Sequence, residues 1–209
     1  MFKYPVIIFE GIEASGKTTN IRYVCKYLKK INKKFIKIRE PGGSINSEVL
    51  RNMILNKKSK LNYKTDLLLI LASRSENMEK IIKKNLNKKI ILIDRFTDST
   101  LAYQHYGMNI NLNLIRKMNN FIIGNFKPDL TILSLVNKSN FRKRLKIRNS
   151  LNKYDEFKYT FYNKVQKGFL KIAKNKKKYI IIDSNKKTIK ENAEIVIKNI
   201  KKIINKKKI

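Results

Sequence analysis

Cysteine is almost absent from this sequence of 209 residues, and long apolar runs are missing altogether. The single cysteine, Cys25, has no partner for a disulfide within the chain and no C-x-x-C neighbour for a metal or redox site. No apolar stretch approaches the roughly 18 to 20 residues that a membrane-spanning helix requires, and the N-terminus enters a predicted strand without the apolar core of a signal peptide. We therefore expect a cytoplasmic protein without a membrane partner.

Acidic residues are scarce as well, because 15 Asp and Glu residues stand against 49 Lys and Arg residues, for a formal net charge of +34. Such a balance ordinarily suggests nucleic-acid binding through the backbone phosphates. Here the lysines are spread over every segment and mixed with many Asn and Ile residues, and clusters such as 176–178 and 206–208 fall in predicted loops or at the terminus. Since Lys, Asn and Ile all have A/T-rich codons, we attribute the charge to compositional bias and expect no specific nucleic-acid partner.

The distribution of apolar residues indicates a single α/β domain over residues 1–209. Short β-rich apolar runs alternate with segments of helical length, which is typical of repeated βαβ units and a mostly parallel sheet. Each predicted strand is apolar enough to be covered on both faces. The predicted strands are Val6–Glu10, Phe35–Arg39, Ile90–Asp94, Leu130–Leu135 and Tyr179–Asp183. The predicted helices cover residues 17–31, 44–55, 64–86, 111–125, 139–148, 156–173 and 188–204.

The most specific pattern is G-x-x-x-x-G-K-T at residues 11–18, directly after the first predicted strand. Its glycines let the backbone turn tightly, so that amide groups and the N-terminus of the following helix face a polyphosphate. The Lys17 ammonium can follow the terminal phosphates, and the Thr18 hydroxyl can hold a Mg²⁺ ion. An ordinary strand-to-helix turn would account for Gly11 but not for the G-K-T that opens the helix. The predicted contacts to the nucleotide are Gly11, Ile12, Glu13, Ala14, Ser15, Gly16, Lys17, Thr18 and Thr19.

Two further segments end strands on the same edge of the predicted sheet. Residues 40–43 follow the second strand, and Asp94 and Arg95 close the third. Because ligands bind beyond the carboxyl ends of parallel strands, we expect these segments to converge with the phosphate loop. Asp94 can orient a Mg²⁺ ion and its water shell. Alternatively, Asp94 only caps the end of the strand. That interpretation is less favoured because Arg95 follows directly, in the run D-R-F-T-D-S-T-L-A-Y-Q at 94–104.

With these residues in place, the sequence resembles the thymidylate kinase family. The shared blocks are F-E-G at 9–11 with the phosphate loop, R-E-P-G-G at 39–43, L-R at 50–51, A-S-R at 72–74, the run at 94–104, P-D-L-T at 128–131 and the basic segment at 142–153. They occur in family order and span nearly the whole chain.

The resemblance implies a three-layer P-loop nucleoside monophosphate kinase fold, in which helices flank a five-stranded parallel sheet. It implies transfer of the γ-phosphoryl group of ATP to dTMP, giving dTDP for dTTP biosynthesis, with Mg²⁺ as cofactor and a homodimer as the assembly. The acceptor phosphate is already an anionic nucleophile, so no general base is required and catalysis reduces to positioning and charge neutralisation. We therefore expect arginines rather than carboxylates around the acceptor.

By the same resemblance, arginines hold the acceptor phosphate. Arg51 and Arg95 are the candidates for that contact, and Arg39 lies beside them as support. Arg74 would hydrogen-bond the thymine ring. Ile70 occupies a position where an aromatic residue often stacks on thymine, so base packing is expected to be weaker here.

The sugar of the acceptor would be held by Glu13, which resembles the family's acid that accepts a hydrogen bond from the 3′-hydroxyl. Tyr103 and Gln104 would lie near the sugar and base and disfavour a ribose 2′-hydroxyl by shape. Packing alone could also account for Tyr103. Ser99 is a candidate contact to the base or to a water molecule.

A basic lid is expected at about residues 142–156. Ala14 and Ser15 carry no charge in the phosphate loop, whereas some family members place an arginine there, so the resemblance implies the bacterial-like type whose lid supplies that charge. Arg148 and Lys153 are the candidates, together with Lys17 and Arg95, for catalysis. Residues 152–153 read Asn-Lys where the family commonly has Asp-Arg, so a point charge replaces a bidentate clamp.

Two other functions remain open at this stage. A deoxynucleoside kinase would share the phosphate loop, but it must deprotonate a neutral hydroxyl and would need a carboxylate base such as Glu40. A P-loop ATPase that binds nucleic acid is suggested by the charge alone. The single histidine, His105, lies in a loop-like stretch, and phosphoryl transfer to dTMP does not need it as a base.

Overall fold

The structure, a computed structural model, describes residues 2–148, 152–174 and 176–209. Within these ranges five strands form one parallel sheet in the order β2-β3-β1-β4-β5. The strands are β1 (Val6–Glu10), β2 (Phe35–Arg39), β3 (Ile90–Asp94), β4 (Leu130–Leu135) and β5 (Tyr179–Asp183). All five predicted strands are confirmed with their bounds, because a buried parallel strand is a continuous apolar run that turn residues interrupt at both ends.

Helices connect the strands, and all except the short helix Thr97–Thr100, which was not predicted, lie in the predicted places. They are α1 (Lys17–Lys30), α2 (Ile45–Leu55), α3 (Tyr63–Asn77), α4 (Thr97–Thr100), α5 (Leu112–Ile123), α6 (Lys138–Lys146), α7 (Tyr159–Ala173) and α8 (Ile189–Lys206). Helix α3 continues through a π-helical turn (Met78–Ile82) into one last α-helical turn (Lys83–Asn85), so the long third helix is confirmed with a local change of hydrogen-bond spacing.

Two local predictions were wrong. The helix expected from residue 156 begins at Tyr159, because Lys153–Glu156 form a separate 3₁₀ turn that Asn152 and Asp155 cap reciprocally. His105 lies in a π-helical segment (Leu101–Gly107) that continues α4, not in a loop. That segment is held by tertiary packing on α7, in which a Cβ added to Gly168 would stand 2.6 Å from the Tyr106 ring.

The sheet is the middle of three layers. One face packs Ile7, Phe9 and Leu92 against α1 and α8, and the other packs Ile8 and Ile93 against the π-helical turn after α3. The three-layer α/β fold is therefore confirmed. The two edge strands are covered less completely than expected, since Lys37 in β2 is exposed and so is half of Ile181 in β5. In the described part of the chain, no helix combines the length and apolar character that crossing a membrane would demand.

Candidate active site

A cleft of about 940 Å³ lies beyond the carboxyl ends of β1, β2 and β3. The predicted convergence of distant segments is observed, because the phosphate loop, residues 39–41 and residues 94–95 all line this cleft together with part of the predicted lid. The predicted site residues that line it are Glu13, Ala14, Ser15, Gly16, Lys17, Thr18, Thr19, Arg39, Arg51, Ile70, Arg74, Asp94, Arg95, Ser99, Tyr103, Gln104 and Arg148. The topology of the sheet thus gathers almost every predicted residue in one place.

The phosphate loop has the close backbone contacts that its glycines predict. Gly11 adopts φ +136°, and a Cβ there would stand 2.3 Å from the backbone oxygen of Ser134, so a larger residue does not fit. The Lys17 ammonium folds over the loop and donates to the carbonyl oxygens of Gly11 at 2.8 Å and Ile12 at 2.7 Å. Burial, with repulsion from Arg95, lowers the pKa of Lys17 to about 8. An anionic phosphate at this position would restore the balance of charge around the ammonium.

Two residues beside the loop suit a divalent cation. Thr18 is exposed in the first turn of α1, and Asp94 ends β3 with a buried Oδ1 atom that has no hydrogen-bond partner in the described residues. A carboxylate oxygen without a donor fits a hydrated Mg²⁺ ion, which prefers few protein ligands and keeps several waters. The described residues contain no cluster of three or more His, Cys, Asp or Glu side chains that could hold a metal. The remaining ligands of Mg²⁺ would therefore be water and phosphate oxygens.

Arg95 is held against the phosphate loop by its side chain. Its Nη2 atom donates to Glu13 Oε1 at 2.7 Å, and its Nη1 atom donates to the Gly11 carbonyl at 3.0 Å. The guanidinium also lies 5.1 Å from the centre of the Tyr103 ring, and the Tyr103 hydroxyl donates to Glu13 Oε2. Burial alone would raise the pKa of Glu13, but Arg95 and Lys17 outweigh it and hold that pKa below its ordinary value. Glu13 is therefore a charged carboxylate between a guanidinium and a phenol.

The other two predicted phosphate-binding arginines differ in exposure. Arg51 is half-buried and donates from Nη1 to the Pro41 carbonyl at 2.6 Å. Arg39 is more exposed, with 53% of its side chain accessible, and pairs with Glu48 at 2.8 Å. Glu48 also accepts a hydrogen bond from the Gly43 amide at 2.8 Å, which fixes the loop after β2. Arg51 thus lies deeper in the cleft than Arg39.

Arg74 makes more hydrogen bonds inside the protein than its predicted role in base binding indicated. It is buried, its Nε atom donates to Glu40 Oε2 at 2.8 Å, and its Nη1 atom donates to Thr100 Oγ1 and Asn119 Oδ1 at 2.8 and 2.6 Å. Only Nη2 makes no hydrogen bond to the described residues. Burial raises the pKa of Glu40, and Arg74 opposes that shift. Removing one partner of such a buried pair typically costs about 3–5 kcal/mol of stability.

Three remaining substrate candidates, Ile70, Gln104 and Ser99, also line the cleft. Ile70 packs in an apolar cluster with Tyr103, and only 8% of it is exposed. Gln104 is buried, and its Nε2 atom contacts the Met108 sulfur at 3.9 Å. The hydroxyl of Ser99 donates within the protein, to Glu10 Oε2, so it can offer a ligand only a lone pair.

The basic lid segment splits into residues with different partners. Arg148 lines the cleft, and its Nη1 atom donates to Asp155 Oδ1 at 2.7 Å. Arg144 donates from Nη1 to the Ala14 carbonyl at 3.0 Å and to Ser184 Oγ at 2.9 Å, so it supports the phosphate loop from the side. Residues 149–151 of the predicted lid lie outside the described residues.

Lys153 does not lie where the resemblance implied. Its ammonium contacts both carboxylate oxygens of Asp66 in α3, at 2.9 and 2.8 Å, and it is not among the residues that line the cleft. The Asp66 side chain is only 1% exposed, and burial raises its pKa while Lys153 opposes the shift. A buried carboxylate needs a counterion, and Lys153 provides it. No local pattern in the sequence connects these two residues, which are 87 positions apart.

Comparisons with known proteins agree on one family. The family model described as thymidylate kinase matches residues 9–195. A thymidylate kinase of Mycoplasma capricolum subsp. capricolum is 41% identical over 185 residues, which cover 86% of this chain and 87% of that protein. One of Sulfurihydrogenibium is 38% identical over 198 residues, covering 93% and 96% of the two chains. The crystal structure of thymidylate kinase from Ehrlichia chaffeensis superimposes with a TM-score of 0.76 at 35% identity, over 94% of this chain and 98% of that one.

Proposed function

This chain belongs to the thymidylate kinase family and converts dTMP to dTDP with ATP, and from that premise we propose a role for each part of the cleft. One observation carries the proposal. The ammonium of Lys17 and the guanidinium of Arg95 both donate to the carbonyl oxygen of Gly11, at 2.8 and 3.0 Å. Two cations that share one acceptor repel each other, and among the described residues only Arg95 of the two forms an ion pair, with Glu13, so this place favours further anions. Two adjoining phosphate groups, one from each nucleotide, supply those anions.

The donor side of the cleft is the phosphate loop. Its amides and the N-terminus of α1 bind the phosphates of ATP, and Lys17 neutralises charge on the β- and γ-phosphates. Thr18 and Asp94 would hold Mg²⁺, which shields the phosphate charge and fixes the orientation of the γ-phosphoryl group. The unpartnered Oδ1 atom of Asp94 supports this assignment.

The acceptor side is formed by arginines and the residues around Tyr103. Arg95 and Arg51 bind the phosphate of dTMP, with Arg39 at the edge. Arg74 and Gln104 contact the base, against which Ile70 supplies an apolar surface. Because the attacking phosphate oxygen is already anionic, these groups only orient it in line with the γ-phosphoryl group and screen the charge between the two nucleotides.

The sugar of dTMP is held by Glu13, which accepts a hydrogen bond from the 3′-hydroxyl. The carboxylate of Glu13 is fixed by Arg95 on one side and Tyr103 on the other. Tyr103 occupies the space that a ribose 2′-hydroxyl would need, so deoxyribose is preferred.

We propose that the chain is a single domain and that residues 142–156 form its lid. We assign this lid to the bacterial-like type, in which the lid supplies the basic side chains. Arg148 leaves Asp155 and reaches the donor phosphates when the lid closes. Arg144 keeps the phosphate loop in place throughout. Lys153, although first expected to act on the phosphates, anchors the lid segment to Asp66 of α3.

The two lid cations predict different kinetic effects. Arg148→Lys is expected to lower kcat by about tenfold. The reason is that a lysine ammonium is a point charge, whereas the planar guanidinium can donate two hydrogen bonds to the phosphates at once. Lys153→Arg is expected to leave kcat within about twofold, since arginine can pair with both oxygens of Asp66. Steady-state rates of both variants, with thermal midpoints as the control for folding, check the assignment. A large loss with Lys153→Arg alone would reverse the two roles.

We also propose a homodimer, formed across α3 and α5. Phe121 is 91% exposed and Leu68 is 54% exposed, and between them lies a groove of about 470 Å³ lined mainly by apolar side chains. Two copies that each carry a net charge of +34 repel strongly, so they associate best through an apolar face. A second copy of the chain is therefore the occupant that we assign to this surface.

Light scattering after size-exclusion chromatography tests the dimer. Phe121→Lys is expected to shift the protein from dimer to monomer, because the substitution places two like charges in the apolar contact. Ile189→Lys, at an exposed position in the first turn of α8, is the matched control and should leave the dimer intact. Equal masses for both variants would reject the α3–α5 surface.

The function is tested by comparing acceptors in an assay of ADP formation with ATP and Mg²⁺. We expect dTMP to be the best acceptor, ahead of dUMP and dGMP, and thymidine to give no product. Phosphorylation of thymidine would support the deoxynucleoside kinase alternative. We assign the reaction to the cytoplasm, with which the free thiol of Cys25 is compatible.

A further inference from the structure

A buried glutamate lies directly behind the phosphate loop and has no part in the reaction described so far. Glu10 is the last residue of β1, is 1% exposed and does not line the cleft. Its Oε1 atom accepts hydrogen bonds from the amides of Phe96 at 2.9 Å and Ser99 at 3.2 Å, and its Oε2 atom accepts from the Ser99 hydroxyl. All three bonds end on the few residues that follow Arg95.

Arg95 has a backbone conformation that needs such support. Its φ is +69°, in the left-handed region, which costs a residue other than glycine roughly 1–2 kcal/mol. Such a conformation persists where neighbouring groups fix it. The Arg95 amide donates to the Phe9 carbonyl at 2.9 Å, and the next amide, that of Phe96, donates to Glu10. Two adjacent residues of β1 therefore hold two consecutive amides of the strained turn.

The same carboxylate reaches the side chain of Arg95 through Ser99. The Ser99 oxygen that donates to Glu10 also accepts from Arg95 Nη1 at 3.4 Å. That Nη1 atom also donates to the carbonyl of Gly11, the residue after Glu10. In addition, the N-cap residue of α4 makes no side-chain hydrogen bond to the helix. The Glu10 carboxylate instead accepts a hydrogen bond from the amide of Ser99 within α4. Backbone, side chain and following helix are thus tied to one group.

We propose that Glu10 is a positioning residue that aims the Arg95 guanidinium at the phosphate of dTMP while touching neither nucleotide. This rests on the role proposed above for Arg95. The cause is geometric, since a shift of about 1 Å in a phosphate-binding group can cost up to a hundredfold in rate.

The side chain needed at this position is an acceptor, not a charge. Both backbone bonds end on Oε1, which accepts in either protonation state. Burial, with the negative charge of Asp98 nearby, raises the pKa of Glu10 to about 8, so an uncharged group is tolerated there. Glu10→Gln keeps the carbonyl acceptor for both amides, whereas Glu10→Met keeps the approximate volume and loses the acceptor.

The test compares the Michaelis constants of the two substrates. Glu10→Met is expected to raise the KM for dTMP by about tenfold and leave the KM for ATP within about twofold, while Glu10→Gln restores the KM for dTMP to within about threefold of the starting protein. Glu79→Met, at an exposed glutamate, is the control and should change neither value. An equal rise in both constants for Glu10→Met, or no recovery with Glu10→Gln, would overturn the proposal.

A double-mutant cycle with Arg95→Ala separates the role of Glu10 from that of Arg95. If Glu10 acts through Arg95, Glu10→Met has no further effect on the KM for dTMP once Arg95 is alanine. A full additional effect would overturn the positioning role and leave the role of Arg95 intact. An unchanged KM for dTMP in Arg95→Ala alone would refute both, and that variant identifies this case by itself. Should Glu10→Met fail to fold, Ser99→Ala provides a second test, because it removes the hydrogen bonds through which Glu10 reaches the Arg95 side chain. Ser99→Ala is expected to raise the KM for dTMP by about threefold, and to have no further effect on it once Arg95 is alanine.

Discussion

Replacing Lys17 with methionine is expected to lower kcat by about a hundredfold to a thousandfold, the loss typical of removing a preorganised charge from a developing transition state. Lys17 is 7% exposed, and its ammonium is held above the loop by the carbonyl oxygens of Gly11 and Ile12. Methionine retains the apolar stem and approximate length of lysine, so the loop keeps its packing while the charge on the phosphates is lost. Steady-state kinetics with varied ATP at saturating dTMP measures the effect.

The control for this substitution lies on the same helix. Lys30→Met removes a charge from an exposed position at the end of α1, far along the helix from the loop, and should leave kcat unchanged. Both variants should unfold within a few degrees of the starting protein. A kcat for Lys17→Met within threefold of the starting value would show that the loop lysine does not carry the reaction.

The second large effect is expected at Arg95. Arg95→Lys should lower kcat/KM for dTMP by about a hundredfold and leave the KM for ATP nearly unchanged. The guanidinium contacts Glu13 and the Gly11 carbonyl from two nitrogens and lies against the Tyr103 ring, a set of contacts that a single ammonium cannot reproduce. Initial rates over a grid of both substrates separate the two constants.

Arg39→Lys provides the comparison for Arg95. Arg39 lines the same cleft, but its side chain is 53% exposed and pairs with Glu48 near the surface. Exposed ion pairs contribute little, so the change in kcat/KM for dTMP should stay within a few-fold. An effect of Arg39→Lys as large as that of Arg95→Lys would contradict the order of the acceptor arginines.

The strands and the loops after them could be predicted because their signals are local. Val6–Glu10 and Ile90–Asp94 are continuous apolar runs, and the loop at 11–18 has glycines where the backbone requires them. Since parallel strands end on one edge, the meeting of Lys17 with Arg95 followed from the topology. The π-helical segment Leu101–Gly107 could not be predicted, because it depends on packing against α7.

Side-chain partners across distant segments were the other limit. Lys153 was expected to act on phosphates, yet its partner Asp66 lies in α3, and nothing near either residue marks the pair. Arg74 lines the cleft, but its partners Glu40, Thr100 and Asn119 belong to three separate segments. The sequence also did not distinguish Arg144, which holds the Ala14 carbonyl, from the other cations of its helix. Residue type predicts chemistry, whereas pairing over such separations is decided by the fold.

We propose that the cleft aligns the phosphate of an acceptor nucleotide with the γ-phosphoryl group of ATP. It is tested most directly by incubating the protein with Mg²⁺, ATP labelled in the γ-phosphate and equal concentrations of dTMP and thymidine, and then separating the products. We expect label in dTDP alone, because the acceptor arginines need an anionic group to bind. Label in dTMP formed from thymidine, or release of labelled phosphate without a labelled nucleotide, would contradict it.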